Sequence, residues 1–235
     1  MSTLIFNGQD LADFGVHISG EGTFNAPTRA VEEQIVPGRN GTLIIDGGRW
    51  ENIMVTYPAY ITDDFADNMA DLRNFLTSVR GYARLADTYH PNEFRLANFA
   101  EEITVETSGR YNSQGRFDLS FNCKPQRFLV SGETAIEFTA DGAITNPTAF
   151  EAKPIIRIYG AGTAGIGDID VTFDGSSEYV DLDCELQDAY YGAANKNSSV
   201  TLDPNRFPVI PASGAGIVLG SGITQVDITP RWFEL

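Results

Sequence analysis

The chain has 235 residues, a formal charge of −16 and a pI near 4.3. Apolar residues make up 42 % and aromatic residues 11 %, a composition that excludes a disordered chain and predicts one or two globular domains. The excess of acid argues against a phosphate-backbone binder, which needs clustered Lys and Arg to release counterions, and no apolar run is long enough to predict a membrane-spanning helix.

The first eight residues lack the basic and apolar regions of a signal peptide, so no export leader is expected. Without export, Cys123 and Cys184 read as buried free thiols. Two cysteines and two histidines are too few for a zinc site of the usual kind, and no metal is expected.

Next along the chain, Pro37 to Gly48 reads as a polar loop between strands, with turn signals at Asn40-Gly41 and Asp46-Gly47-Gly48. Phe65, Met69, Leu72, Phe75, Leu76 and Val79 then recur at helical spacing, with Asp64, Asp67, Asp71 and Arg73 largely on the other side. The spacing predicts one long helix from Asp63 to Arg80, capped by Thr62 or Asp63 and stopped at Gly81. Its apolar stripe needs a sheet to pack on, which makes the N-terminal part α+β.

Strands dominate the rest. Phe117, Leu119, Phe121 and Cys123 alternate with polar residues, and so do Ile169–Phe173, Tyr179–Asp183, Val200–Leu202 and Ile223–Ile228. Lys124-Pro125 and Ser131-Gly132-Glu133 interrupt the pattern. The expected organisation is a mainly β protein with domains at 1–130 and 131–235, the second an all-β, two-sheet sandwich.

Three features invite chemistry. Gly160-Ala161-Gly162-Thr163-Ala164-Gly165 matches a dinucleotide fingerprint, but the succeeding Ile166–Phe173 alternates as a strand, so no helix N-terminus is present to hold a pyrophosphate. A glycine-rich hairpin is expected instead, with no cofactor. Asp168, Asp170, Asp174, Asp181 and Asp183 lack calcium-loop spacing and read as solvated strand faces. His17 and His90 have no recognisable nucleophile beside them, and no enzyme is expected. Tyr190, Tyr191, Trp232 and Phe233 read either as core or as rings that stack on sugars.

Taken in order, several segments resemble the distal tail (Dit) proteins of long-tailed phages and prophages of Gram-positive bacteria. These are Phe6-Asn7-Gly8 with Asp13-Phe14-Gly15, Pro37-Gly38-Arg39-Asn40-Gly41-Thr42-Leu43, and Tyr82–Asp87 after the helix. Phe121–Pro125, Asn146-Pro147-Thr148, Lys153–Gly160, Asp188-Ala189-Tyr190 and Ile228–Trp232 continue the likeness. Gly214-Ala215-Gly216-Ile217 departs from the family, which often carries an Asn before the Ile.

The resemblance implies a β-sandwich with one long helix, followed by a galectin-like sandwich. It implies a structural hub, a homo-hexameric ring at the virion tail tip, made and assembled in the bacterial cytoplasm. Implied partners are the tail tube protein, the tail-associated tail-tip protein and receptor-binding or baseplate proteins. An acidic lumen would repel passing DNA. Within such a ring, Pro37, Gly38, Arg39, Asn40, Gly41 and Arg49 are expected to reach a neighbouring subunit, although the same loop reads equally as a plain surface hairpin. Two other readings stay open: a carbohydrate-binding sandwich stacking sugar on Tyr190 and Trp232, and a tube-type tail building block.

Overall fold

The computed structural model describes residues 2–20, 22, 24–99, 101–109 and 113–235. Among these the chain is mostly β with one α-helix, and it divides into two compact units: Met1–Arg127 together with Leu235, and Phe128–Glu234.

The first unit opens with β1 (Leu4–Phe6), β2 (Gln9–Asp10) and β3 (His17–Ile18), followed by β4 (Arg29–Ile35) and β5 (Thr42–Trp50). Then come β6 (Ile53–Ile61), α1 (Phe65–Ser78), β7 (Ala83–Asp87), β8 (Glu93–Asn98), β9 (Val105–Ser108) and β10 (Gln114–Leu129), whose last two residues belong to the second unit. One sheet runs in the order β2-β1-β7-β8-β10-β6-β3, with β9 also paired to β10. β4 and β5 stand apart as a two-stranded ribbon.

Alternation along β6 and β10 sorts this unit into inside and outside. Val55, Tyr57, Ala59 and Ile61 face Phe117, Leu119, Phe121 and Cys123 in the core, while Thr56 and Ser120 meet on the other face. Phe121 is the hub of an aromatic cluster, with Phe6 at 5.0 Å, Phe99 at 5.4 Å and Tyr57 at 6.3 Å between ring centroids. The helix buries Met69, Leu72 and Leu76 against this core, with Phe65, Phe75 and Val79 packed at its border. It is shorter than the expected 63–80. Neither Thr62 nor Asp63 caps it: Asp64 takes the cap position in a left-handed conformation, and the Thr62 hydroxyl is spent on the Asp63 carboxylate. At the other end Val79 is already extended, so Gly81, at φ +74°, lies beyond the helix.

The second unit contains β11 (Ile136–Phe138), β12 (Gly142–Ile144), β13 (Ile155–Gly160), β14 (Gly162–Ile166), β15 (Ile169–Phe173), β16 (Tyr179–Asp183) and β17 (Asp188–Tyr191). β18 (Ala194–Asn195), β19 (Val200–Asp203), β20 (Ala215–Leu219) and β21 (Ile223–Thr229) come next. One sheet has the order β11-β21-β13-β16-β17-β18, the other β12-β20-β14-β15-β19. Their inward residues, among them Ile156, Ile158, Leu182, Val226 and Ile228 from the first and Ala164, Ile166, Val171 and Phe173 from the second, form one core.

The glycine-rich segment is a strand-to-strand turn, with β13 ending at Gly160 and β14 beginning at Gly162. Gly160 lies at φ +95° and Gly162 at φ +151°, and a Cβ on either would collide with the backbone carbonyl of Gly222 or Ser221. Close backbone approach accounts for these two glycines. Cys123 and Cys184 are buried free thiols.

Candidate assembly surface

The β4–β5 ribbon interleaves aliphatic residues with charged and polar ones, and it is exposed along nearly its whole length. Directly opposed residues share a face. Val31 with Asp46, Glu33 with Ile44, and Ile35 with Thr42 make one face; Glu32 with Ile45 and Gln34 with Leu43 make the other. Ile35 is 81 % exposed and Ile44 62 %, and Val31, Leu43 and Ile45 are also exposed. Both faces therefore carry aliphatic side chains in water. A two-stranded ribbon is marginal on its own, and Val31, Ile35, Leu43, Ile44 and Ile45 held in water on it make it the candidate for contact with another chain.

The structure separates the six residues expected to form the interface. Pro37, Gly38, Arg39, Asn40 and Gly41 form the exposed turn at the tip, closed by the Arg39 amide donating to the Val36 carbonyl at 3.2 Å. Arg49 lies at the other end of β5, paired with Glu51 at 2.9 Å. The loop expected over Pro37–Gly48 is corrected: from Thr42 onward the chain is strand, because Leu43, Ile44 and Ile45 pair in register with Gln34, Glu33 and Glu32. Asp46-Gly47-Gly48 is accordingly a bulge within β5, not a hairpin turn. The apolar residues of the ribbon, its most telling feature, were missed. The signal was present: Val31 and Ile35 flank polar residues, and the Leu-Ile-Ile run places apolar groups on both faces, so no single face could serve a core.

A second surface lies on the outer face of β6, β9 and β10. Here a broad trough of about 880 Å³ is lined by Glu101, Glu102, Glu106 and Asp118, with Arg116 and Tyr60 beside them. Among the described residues, no group of three or more His, Cys, Asp or Glu is placed to hold a metal ion.

In the second unit, the expectation that Asp181 and Asp183 lie on a solvated strand face is corrected. They are 5 % and 6 % exposed, each covered by an arginine. Arg157 donates to both oxygens of Asp181 at 2.7 and 2.9 Å, while its guanidinium stands 4.2 Å from the Tyr179 ring centroid. Arg231, in a left-handed conformation at φ +56°, donates to Asp183 at 2.6 and 3.2 Å. The same Asp183 carboxylate accepts the Glu185 and Leu186 amides at 2.9 and 3.0 Å. Burial opposes ionisation of Asp183, but Arg231 and the two amides outweigh it and hold its pKa below the ordinary aspartate value.

The two residues expected to stack on sugar also part company. Tyr190 is half-buried on β17, opposite Asp181. Trp232 is 4 % exposed inside the core of the second unit, which leaves no ring face for a ligand. Trp232 is therefore a packing residue, and the stacking reading is corrected at that position.

No protein-family model and no curated protein matches the sequence. Solved structures do. The chain is similar to the SPP1 Dit (gp 19.1) protein, described as a paradigm of the hub adsorption apparatus in phages infecting Gram-positive hosts. The match covers 100 % of both chains at 15 % identity, with a TM-score of 0.71. It is also similar to a chain of the phage P2 baseplate in its activated conformation, solved with Ca and with Sr. Those matches cover 97 % of each chain at 10 % identity, with a TM-score of 0.56. At these identities the likeness is one of fold, and it extends over both units.

Proposed function

We propose that this chain is a Dit-like hub subunit of a phage or prophage tail, in which copies close into a ring between the tail tube and the host-adsorption apparatus. The observation that carries this reading is the end-to-end correspondence with SPP1 Dit, which takes in both units without a gap in coverage. Ribbon and trough give physical support. A closed ring needs heterologous contacts, in which a feature of one subunit seats on a different surface of the next. An exposed ribbon with aliphatic residues on both faces is suited to that role. The acidic trough is the kind of surface that would let DNA pass without trapping it.

In this reading the first unit builds a hexamer and meets the tube and the tail-associated protein. The second unit, a galectin-like sandwich, carries receptor-binding or baseplate components. The role is structural and non-enzymatic, and its place is the virion tail tip.

Light scattering after size exclusion, with negative-stain imaging of the peak, tests the proposal. A closed particle of about six subunits with a central hole is expected, alone or on co-expression with neighbouring tail proteins. Unbounded filaments would replace the hub reading with a tube protein. A monomer that stays monomeric with every tail partner would end it.

A further inference from the structure

The ribbon meets the rest of the first unit at an irregular base, and the Asp46 carboxylate bridges that base. Arg29 pairs with Trp50, but the next pair along is Val31 with Asp46. Ala30 alone thus lies opposite Gly47, Gly48 and Arg49, which gives β5 two more residues than β4 at this point. Extra residues on one strand bend it and increase its twist. A Cβ at Gly47 would sit 2.9 Å from the Ala30 carbonyl oxygen, so a side chain there would prise the strands apart. Gly48 is left-handed at φ +70°, a conformation that β-branched residues adopt only under strain.

Two glycines in succession would ordinarily make a loose joint. Here one carboxylate ties the joint down from both sides. Oδ2 of Asp46 accepts the Arg29 Nε–H at 2.6 Å, and Oδ1 accepts the Gly48 amide at 2.8 Å. The Arg29 guanidinium in turn stands over the Trp50 indole, 5.1 Å from the ring centroid. Arg29 and Asp46 are both about half exposed, so the pair adds little to global stability. Its position at the root of a ribbon of seven and nine residues gives it leverage of another kind. A small change of angle here moves the tip by many ångströms, since each strand residue adds about 3.3 Å.

We propose that Arg29, Asp46, Gly47, Gly48 and Trp50 form a fixed elbow that aims the ribbon at a second copy of this chain, and that assembly depends on this aim. These are positioning residues: they present Val31, Ile35, Leu43, Ile44 and Ile45 in a set direction without needing to touch the neighbour. Fixing the direction beforehand spares the ribbon the cost of being ordered on contact. The elbow's role rests on the ring reading and deepens it.

The test measures direction and assembly separately in the full chain. Spin labels on Asn40→Cys at the tip and Asp71→Cys on the exposed side of α1 report the distance between ribbon and body. The native cysteines are 0 % and 3 % exposed and stay unlabelled. A narrow distance distribution is expected in wild type. Asp46→Ala and Gly48→Val should broaden or shift it and raise the dissociation concentration of the assembly about tenfold, with no loss of helix or core by circular dichroism. Asp46→Asn keeps an acceptor for the Gly48 amide and should fall between. Unchanged distances in Gly48→Val, or assembly at wild-type concentration despite a broadened distribution, would overturn the elbow. A wild-type chain that never assembles would instead overturn the ring reading, and the role in assembly with it.

Discussion

Ile44→Asp is the sharpest single test of the ribbon as an assembly surface. In the isolated chain Ile44 is 62 % exposed and belongs to neither core, so its loss should leave the first unit's melting temperature nearly unchanged. Burying a whole Ile side chain is worth about 1.5–3 kcal/mol. Some 62 % of that surface remains to be covered, so seating it on a neighbour should contribute about 1–2 kcal/mol per contact. Aspartate forfeits this and must also lose water from its carboxylate, so the change is at least of that size. Each contact should weaken by roughly 5- to 30-fold. A dilution series monitored by light scattering would show the assembly dissociating at correspondingly higher concentration, with calorimetry confirming an intact fold. If Ile44→Asp assembled as wild type does, the ribbon face carrying Val31, Ile35 and Ile44 would not be an interface.

Three further outcomes are expected. Asp183 has a lowered pKa in the folded state, so its contribution to stability is present above the unfolded value near 3.9 and is lost as pH falls through the lower folded value; Asp183→Asn should weaken the second unit at neutral pH and flatten its acid unfolding curve, and an unchanged curve would remove Arg231–Asp183 as its cause. Cys123 and Cys184 have thiols pushed up to about 12, chiefly by burial, so a chromogenic disulfide reagent at pH 8 should react with neither until the chain is unfolded; prompt reaction of either would contradict its placement. Trp232→Ala should destabilise the second unit by about 3–5 kcal/mol in urea unfolding, while Tyr190→Ala should cost far less, and equal small effects would mean that Trp232 does not pack in the core.

Much of the architecture is written in local periodicity. Four alternating residues from Phe117 to Cys123 suffice to mark one face of β10 as buried, because successive side chains on a strand point to opposite sides. The stripe from Phe65 to Val79 marks α1 in the same way, at a period of 3.6. The helix ends were less legible, since which residue caps depends on how Asp64 and Val79 turn out of the helix into their neighbours. The glycines from Gly160 to Gly165 were separable from a dinucleotide site because Ile169–Phe173, just beyond them, alternates as a strand where a helix would be needed.

Which faces are covered, and by what, emerges only in the folded chain. Alternation assigned Asp181 and Asp183 to the outward side of β16, but it could not say that Arg157, 24 positions away, and Arg231, 48 positions away, would close over them. Nor could it tell that Trp232 would be drawn into a core while Ile35 and Ile44 would be left in water. The physical reason is common to all of these. A side chain's direction depends on the few residues around it, whereas its burial depends on which distant segment arrives opposite. β4 and β5 are instead left exposed along nearly their whole length. Local pattern is enough for a mainly β chain with one amphipathic helix; long-range packing is what leaves the ribbon uncovered, with apolar residues on both faces.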